Sequence, residues 1–288
     1  MLRYFAAAMA LKAFSLNGTT QRLYRKLGNL LAGKSRAKGR IDLESYIRRG
    51  NLLVSLFEQY EPLAKDDIVL ELGTGWMHWY SIYLRLAHAC KIETMDVWDN
   101  RQFGAIAANF SRLPNASAAV VEAQSIDELY ENLNITHHII PDGMLTRFKD
   151  CSVTAVFSMH VLEHVPRKTI RQVVQDIYRI TKPGHHSIHQ IGIDDHLAHY
   201  APSVSDKKYI SFSDSTYRLL FDNAVQYHNR LQPSDFVNLF EDAGFESIHR
   251  EQENTDISNL RIADCFRGYS ADDLACTILT LVFRKPEN

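Results

Sequence analysis

Glu71, Gly73, Thr74 and Gly75 fall within five residues, directly after the apolar run Ile68-Val-Leu. Two glycines at the end of a strand let the backbone turn sharply and lie against a ligand, because neither carries a Cβ. A strand, a Gly-x-Gly turn and a helix N-terminus together make a cradle for a nucleotide-type cofactor. Asp96 closes a second short run, Lys91 to Met95. An acid there, on the second strand of a βαβ unit, accepts hydrogen bonds from ribose hydroxyls. Asp99 competes for that role, and the plain alternative is an acid in a surface turn.

The chain has 13 histidines, unevenly placed. His160 and His164 flank Glu163; His185, His186 and His189 surround the next apolar run; Asp194, Asp195, His196 and His199 follow. In a doubly wound sheet, ligands bind outside the carboxyl ends of the strands. Three chemistries stay open for this group. His160, His189 or His196 can act as a general base. His and Asp side chains can hold a metal that orients an oxygen substrate. Otherwise the imidazoles simply cap and tie a loop. The pair Glu163-His164 reads as the start of a helix, a structural role, and no metal ligand is assigned.

These side chains need elements to hold them. Residues 42–60 read as an amphipathic helix, with Tyr46, Leu53, Leu56, Phe57 and Tyr60 at helical spacing and Pro62 beyond its end. A strand at Ile68 to Leu72 leads through the glycine turn into a helix over 76–88. Lys91 to Met95 is the second strand. Helices follow at 101–110 and 125–133, then a weak strand at 137–140 closed by Pro141-Asp142-Gly143. Val153 to Ser158 is a stronger strand, and residues 169–181 a helix stopped by Lys182-Pro183-Gly184. Further strands are expected at 187–193, after Gly244-Phe245, and at 277–283, with a helix over 233–243. Alternation of this kind implies an α/β fold with a doubly wound, mostly parallel sheet.

A chain of 288 residues is long enough for one large α/β domain with additions. Its net charge of −2 gives no strong nucleic-acid signal. Cys90, Cys151, Cys265 and Cys276 are scattered, so neither a zinc site nor a disulfide framework is indicated. Reduced thiols in the cytoplasm are the expectation. The apolar run Phe5 to Leu11 is interrupted by Lys12 and is too short to span a bilayer. It is read as a helix that packs on the core or on a partner chain, with a homodimer contact in view and a membrane surface the weaker option. The basic residues Arg22, Arg25, Lys26, Lys34, Arg36, Lys38 and Arg40 are read as a solvated face with a flexible connector at Gly33 to Gly39.

Four motifs in order give the sequence a resemblance to class I S-adenosylmethionine-dependent methyltransferases: Val69-Leu-Glu-Leu-Gly-Thr-Gly75, Met95-Asp96, Val156-Phe-Ser-Met-His-Val-Leu-Glu-His164 and Ile180-Thr-Lys-Pro-Gly184. Asp242-Ala-Gly-Phe245 before a strand also suits that family. The resemblance covers about residues 65–193 and, less tightly, the C-terminal strand pair. It implies a seven-stranded sheet ending in an antiparallel hairpin strand, and S-adenosyl-L-methionine as cofactor. Glu71 and the backbone of Gly73, Thr74 and Gly75 would face the amino-acid part of that cofactor. Asp96 would take the ribose hydroxyls and Asp142 the adenine amino group. Ser158 and His160 would lie beside the methionine end and the substrate.

The pattern departs from the family at Met77, where a third glycine is common, and His78 stands where a dinucleotide fingerprint wants glycine. Residues 1–60 are taken as an N-terminal helical extension, and 61–288 as the Rossmann-like domain. A helical and loop insertion at about 194–232, rich in aromatic residues, would cover the substrate. The expected activity is methyl transfer to a small-molecule or glycan-type acceptor. A nicotinamide-dependent oxidoreductase and a non-catalytic scaffold of the same fold are the rival readings.

Overall fold

The computed structural model describes residues 1–36, 41–113 and 118–287. Eleven α-helices, four 3-10 turns and seven strands occur among them. Helices α1 (Leu2–Phe14), α2 (Gly18–Arg36) and α3 (Leu43–Tyr60) precede strand β1 (Ile68–Leu72). Then come α4 (Trp79–Ala87), β2 (Lys91–Asp96), α5 (Phe103–Phe110), α6 (Ala118–Val121), α7 (Ile126–Leu133), β3 (Ile135–Ile139) and β4 (Ala155–Met159). They are followed by α8 (Ile170–Ile180), β5 (His186–Gly192), α9 (Asp214–Leu220), α10 (Pro233–Asp242), β6 (Glu246–Asn254), α11 (Ala271–Ala275) and β7 (Cys276–Arg284).

The strands form one sheet in the order β3-β2-β1-β4-β5-β7-β6. The first five are parallel, and β7 runs antiparallel to both β5 and β6. This is the seven-stranded, doubly wound arrangement expected, with its antiparallel pair at the C-terminal edge. Strand alternation sorts the apolar residues onto the two faces. Val69, Phe157, Ile188 and Val282 pack with Leu53, Phe57 and Ile82 on one side. Leu70, Leu72, Val156 and Ile191 pack with Val174, Ile177 and Phe240 on the other. Helix caps fix where several helices begin: Asp42 accepts from Ser45 N, Ser125 from Glu128 N, and Gln232 with Asp235 forms a capping box ahead of α10.

A third apolar cluster lies apart from the sheet. Tyr4, Ala8 and Leu11 of α1, spaced for one helix face, pack against Leu197, Tyr209, Phe221 and Phe266. Tyr4 Oη donates to Asp195 Oδ2 at 2.6 Å, and Lys12 Nζ donates to the carbonyls of Arg218 and Asp222. The N-terminal helix is therefore joined to the segment after β5, with Leu2 and Met9 left exposed on its other face. Helix α2 runs through Gly33 to Arg36, so the expected connector begins as helix; residues 37–40 lie outside the described residues. Among the described residues, no helix is long and apolar enough to cross a membrane.

Candidate active site

Two cavities open at the carboxyl ends of β1, β2 and β4. One, of about 400 Å³, is lined by Gly73, Gly75, Asp96, Trp98, Asp142 and Val161, among others. The other, of about 780 Å³, is lined by residues including Arg49, Thr74, Trp76, His196, Tyr200 and Tyr227. Gly73, Gly75, Val97, Trp98, His160 and His164 line both.

The glycine turn makes the first cavity. Gly73 and Gly75 have φ of 67° and 72°, the left-handed region that a Cβ disfavours. A Cβ on Gly73 would stand 2.6 Å from Val161, whereas one on Gly75 would meet nothing within 4 Å. Gly73 thus allows the β1 and β4 exits to touch, and Gly75 faces open space. Asp96 Oδ2 accepts from Gly75 N at 3.0 Å and Oδ1 from Val97 N at 2.7 Å. Burial raises the Asp96 pKa, and these N–H donors oppose the rise. Asp142 Oδ1 accepts from Met144 N, which ties its turn at the cavity's edge. Position 78 keeps a left-handed backbone, φ 48°, although it is histidine; the His78 ring is buried against Tyr130. Met77 is 2% exposed and belongs to the core while touching the larger cavity.

These groups suit the cofactor that the motifs imply. Thr74 Oγ1 and Arg49 Nε are buried polar atoms without a partner, on residues that line the larger cavity. An amino-acid carboxylate is the chemistry they lack. The open side of Gly75 and the carboxylate of Asp96 suit a sugar edge.

Imidazoles dominate the other side. His160 adopts φ 57° directly after β4, and its N–H donates to Gln190 O at 2.8 Å. Arg49 lies 3.4 Å from His160 Nε2. A guanidinium only donates, so Nε2 accepts and the proton is on Nδ1, 3.7 Å from Glu163 Oε1. Burial, then the charge of Arg49, push His160 down to about 4. The His196 ring is 5.0 Å from those of His164 and His228 and 5.7 Å from that of His199. Burial, then His164, push His196 to about 4. Burial would raise Asp194, but the hydrogen bond from His199 and the nearby imidazoles hold it at about 2. Burial pushes Glu163 up to about 8. Gly192 permits this convergence: a Cβ there would meet His160 Nδ1 at 2.8 Å, Glu163 Oε1 at 3.0 Å and Asp194 Oδ1 at 3.3 Å.

The sequence-derived residues do not all meet. Gly73, Gly75, Asp96, Asp142 and His160 line the smaller cavity, and Gly73, Thr74, Gly75, His160 and His196 the larger. Glu71 is 1% exposed, accepts from the Ser81 hydroxyl behind the turn, and lines neither. Ser158 and His189 are fully buried. Both nitrogens of His189 are engaged, Nδ1 by Ser158 Oγ at 2.7 Å and Nε2 by Ser187 Oγ at 2.6 Å. Because β5 continues to Gly192, His189 is inside the sheet, not at its mouth. Asp99 pairs with Arg101, whose hydrogen bonds hold it at about 2.

Some lining residues carry no signal strong enough to be chosen from sequence. Arg49 is one polar position on an amphipathic helix, and Trp98 follows Asp96 in an ordinary turn. Glu163 and His164 form a single 3-10 turn, Leu162–His164, so His164 faces the cavities instead of opening a long helix.

A family described as a methyltransferase domain matches residues 19–250. No curated protein sequence shows a significant match. Among solved structures, a chain of the complex between the Haloferax volcanii Trm112 methyltransferase activator and a methyltransferase is similar, with 17% identity and a TM-score of 0.51 over 89% of this chain and 96% of that one. A geranyl diphosphate methyltransferase in complex with S-adenosylmethionine has 13% identity and a TM-score of 0.51, over 86% and 90% of the two chains. A methyltransferase from Methanosarcina mazei has 16% identity and a TM-score of 0.50, over 81% and 98%.

Proposed function

The chain belongs to the methyltransferase-domain family, and from that premise we propose that it transfers a methyl group to a small-molecule or glycan-type acceptor held in the larger cavity. The cofactor is S-adenosylmethionine. When bound, it supplies an electrophilic methyl on a sulfonium, which a nucleophile takes in line with the departing sulfur to leave S-adenosylhomocysteine. The observation that carries this reading is the shared wall: His160 lines both the cavity of the glycine turn and the larger one.

Each residue then has a task. Asp96 accepts hydrogen bonds from the ribose hydroxyls, and Asp142 approaches the adenine amino group. The backbone of Gly73 to Gly75, the Thr74 hydroxyl and Arg49 hold the amino-acid end. Trp76, Trp98, Tyr200 and Tyr227 enclose the acceptor and exclude water. His160 is neutral at pH 7 because burial lowers its pKa. Its Nε2 lone pair, turned to Arg49, takes the acceptor's proton once the acceptor's O–H or N–H replaces the guanidinium there. Holding the two reactants in line supplies most of the acceleration.

Calorimetry with S-adenosylmethionine and its demethylated product tests the cofactor assignment. Binding that weakens at least about tenfold in Asp96→Asn is expected, the loss of a charged hydrogen-bond acceptor. A wild-type chain that binds neither compound overturns it. Product formation from a metabolite mixture tests the base: His160→Gln is expected to keep cofactor binding and to lose about 100-fold or more in turnover. Unchanged turnover removes His160 from the mechanism.

A further inference from the structure

We propose that Glu163, His164 and His196 bind one divalent first-row transition-metal cation beside the larger cavity, which His164 and His196 line and behind which Glu163 is buried. One ligand atom from each of the three lies within 4.8 Å of the others. Nitrogen and oxygen donors about 2.0–2.2 Å from a common cation stand roughly 3–4 Å apart. Closing the set therefore needs side-chain adjustments of about an ångström.

Two independent observations point to a cation at this place. Glu163 is 1% exposed, and its Oε2 is buried with no hydrogen-bond partner. Its other oxygen accepts from Gly192 N at 3.2 Å. A buried carboxyl oxygen left unpaired is costly, and a cation bound there in place of the acid proton satisfies it. His164 Nδ1 is 2.7 Å from the carbonyl oxygen of Tyr227. A carbonyl only accepts, so Nδ1 carries the proton and Nε2 presents a lone pair. A ring N–H held by a backbone carbonyl is the usual orientation of a metal-ligating histidine. Behind His196, Asp194 Oδ1 lies 3.9 Å from Nε2 and adds negative charge to the site.

The donor set selects the class of ion. Two imidazoles and one carboxylate suit zinc, manganese, iron, cobalt or nickel. Calcium and magnesium prefer oxygen ligands alone. Three protein ligands leave coordination positions for water or for an oxygen of the acceptor. That last role rests on the methyl-transfer reading above; the binding of the cation does not.

The test uses the full chain, freed of metal with a chelator and titrated with Mn²⁺, with free Mn²⁺ read by electron paramagnetic resonance. Co²⁺ absorption bands report the ligand field in parallel. One cation per chain at sub-millimolar concentration is expected. Glu163→Gln and His196→Asn are each expected to weaken it at least about tenfold, since disturbing even a ligand's outer partner has that effect. Absence of binding to the wild type, or binding as tight as the wild type's in both variants, overturns the proposal. If Glu163→Gln does not fold, as a melting curve will show, His196→Asn at its partly exposed position decides alone. Calorimetry with S-adenosylmethionine on the same samples separates the two readings. Metal bound without cofactor defeats methyl transfer and leaves the metal site standing; cofactor bound without metal does the reverse.

Discussion

The glycine-turn side and the imidazole side of this site are built in opposite ways. On the first, the groups that line the cavity are at strand ends: Gly73 and Gly75 after β1, Asp96 at the end of β2, Asp142 in the turn after β3. Backbone N–H groups hold the carboxylates, so the geometry is local and follows from the turn itself. On the second, Arg49 comes from α3, His160 and His164 from the β4 exit, His196 from the loop after β5, and Tyr227 from the segment between α9 and α10. Long-range packing brings them together, with α1 braced against the same segment through Tyr4 and Asp195. A local site survives changes elsewhere in the molecule, whereas an assembled one depends on every element that supports it.

Two alanine substitutions set this difference at its widest. Gly73→Ala forces a Cβ into the left-handed region and to within 2.6 Å of Val161. The conformational penalty is about 1–2 kcal/mol and the overpacking about 1–3 kcal/mol. A loss of about 2–5 kcal/mol in denaturant unfolding is expected, with loss of cofactor binding. Gly192→Ala carries no such φ, and its Cβ meets flexible ends of His160, Glu163 and Asp194 instead. It is expected to cost about 1–3 kcal/mol, to disturb turnover and metal binding, and to leave cofactor affinity within about threefold. Equal damage to cofactor affinity by both would show that the two sides are one mechanical unit.

The same contrast decides what was legible in the sequence. Strands β1, β2 and β5 and helices α3, α8 and α10 follow from apolar period and stop signals, because those are local properties. Asp96 is recognisable because its place after one strand and one helix is fixed by the βαβ unit. His189 is not placed by the same reasoning. Periodicity says that a residue is in a strand, not whether the strand continues three residues further, and β5 does continue to Gly192. Arg49 meets His160 across 111 residues and His164 meets Tyr227 across 63, separations that no local pattern records. The run from His185 to His199 was equally informative about composition and uninformative about partners. His185 and His186 pair with Glu61, far from the cavities.

Acid sharpens the comparison next, because burial lowers imidazole pKa values while it raises those of carboxyls. His189 titrates near 6.5 when unfolded, and burial holds it at about 3 in the fold. Between those values the unfolded chain binds a proton that the fold excludes. The stability due to neutral His189 is whole above about pH 6.5 and is lost as pH falls toward 3. At pH 5 the loss is on the order of 2 kcal/mol. His189→Gln removes the titrating group, so its melting temperature is expected to fall less between pH 7 and pH 5 than that of the wild type. Parallel curves for the two proteins would place the acid sensitivity elsewhere.

The smallest expected effect probes the brace itself. Tyr4→Phe removes the hydroxyl that donates to Asp195 Oδ2 and keeps the ring that packs against Phe212 and Phe221. A buried carboxylate oxygen then loses a donor, while Leu197 N still holds Oδ1 at 3.0 Å. The cost is about 1–2 kcal/mol. Burial raises Asp195 to about 6, so at pH 5 the carboxyl is neutral and the loss is smaller than at pH 7. Hydrogen exchange of the α1 amides reads the undocking of the helix, and calorimetry reads the cofactor. Faster exchange in α1 with unchanged cofactor affinity assigns the N-terminal helix to the imidazole side alone. A cofactor affinity that falls together with α1 protection would mean that the local turn also leans on the distant brace, and the division between a local and an assembled half would have to be given up.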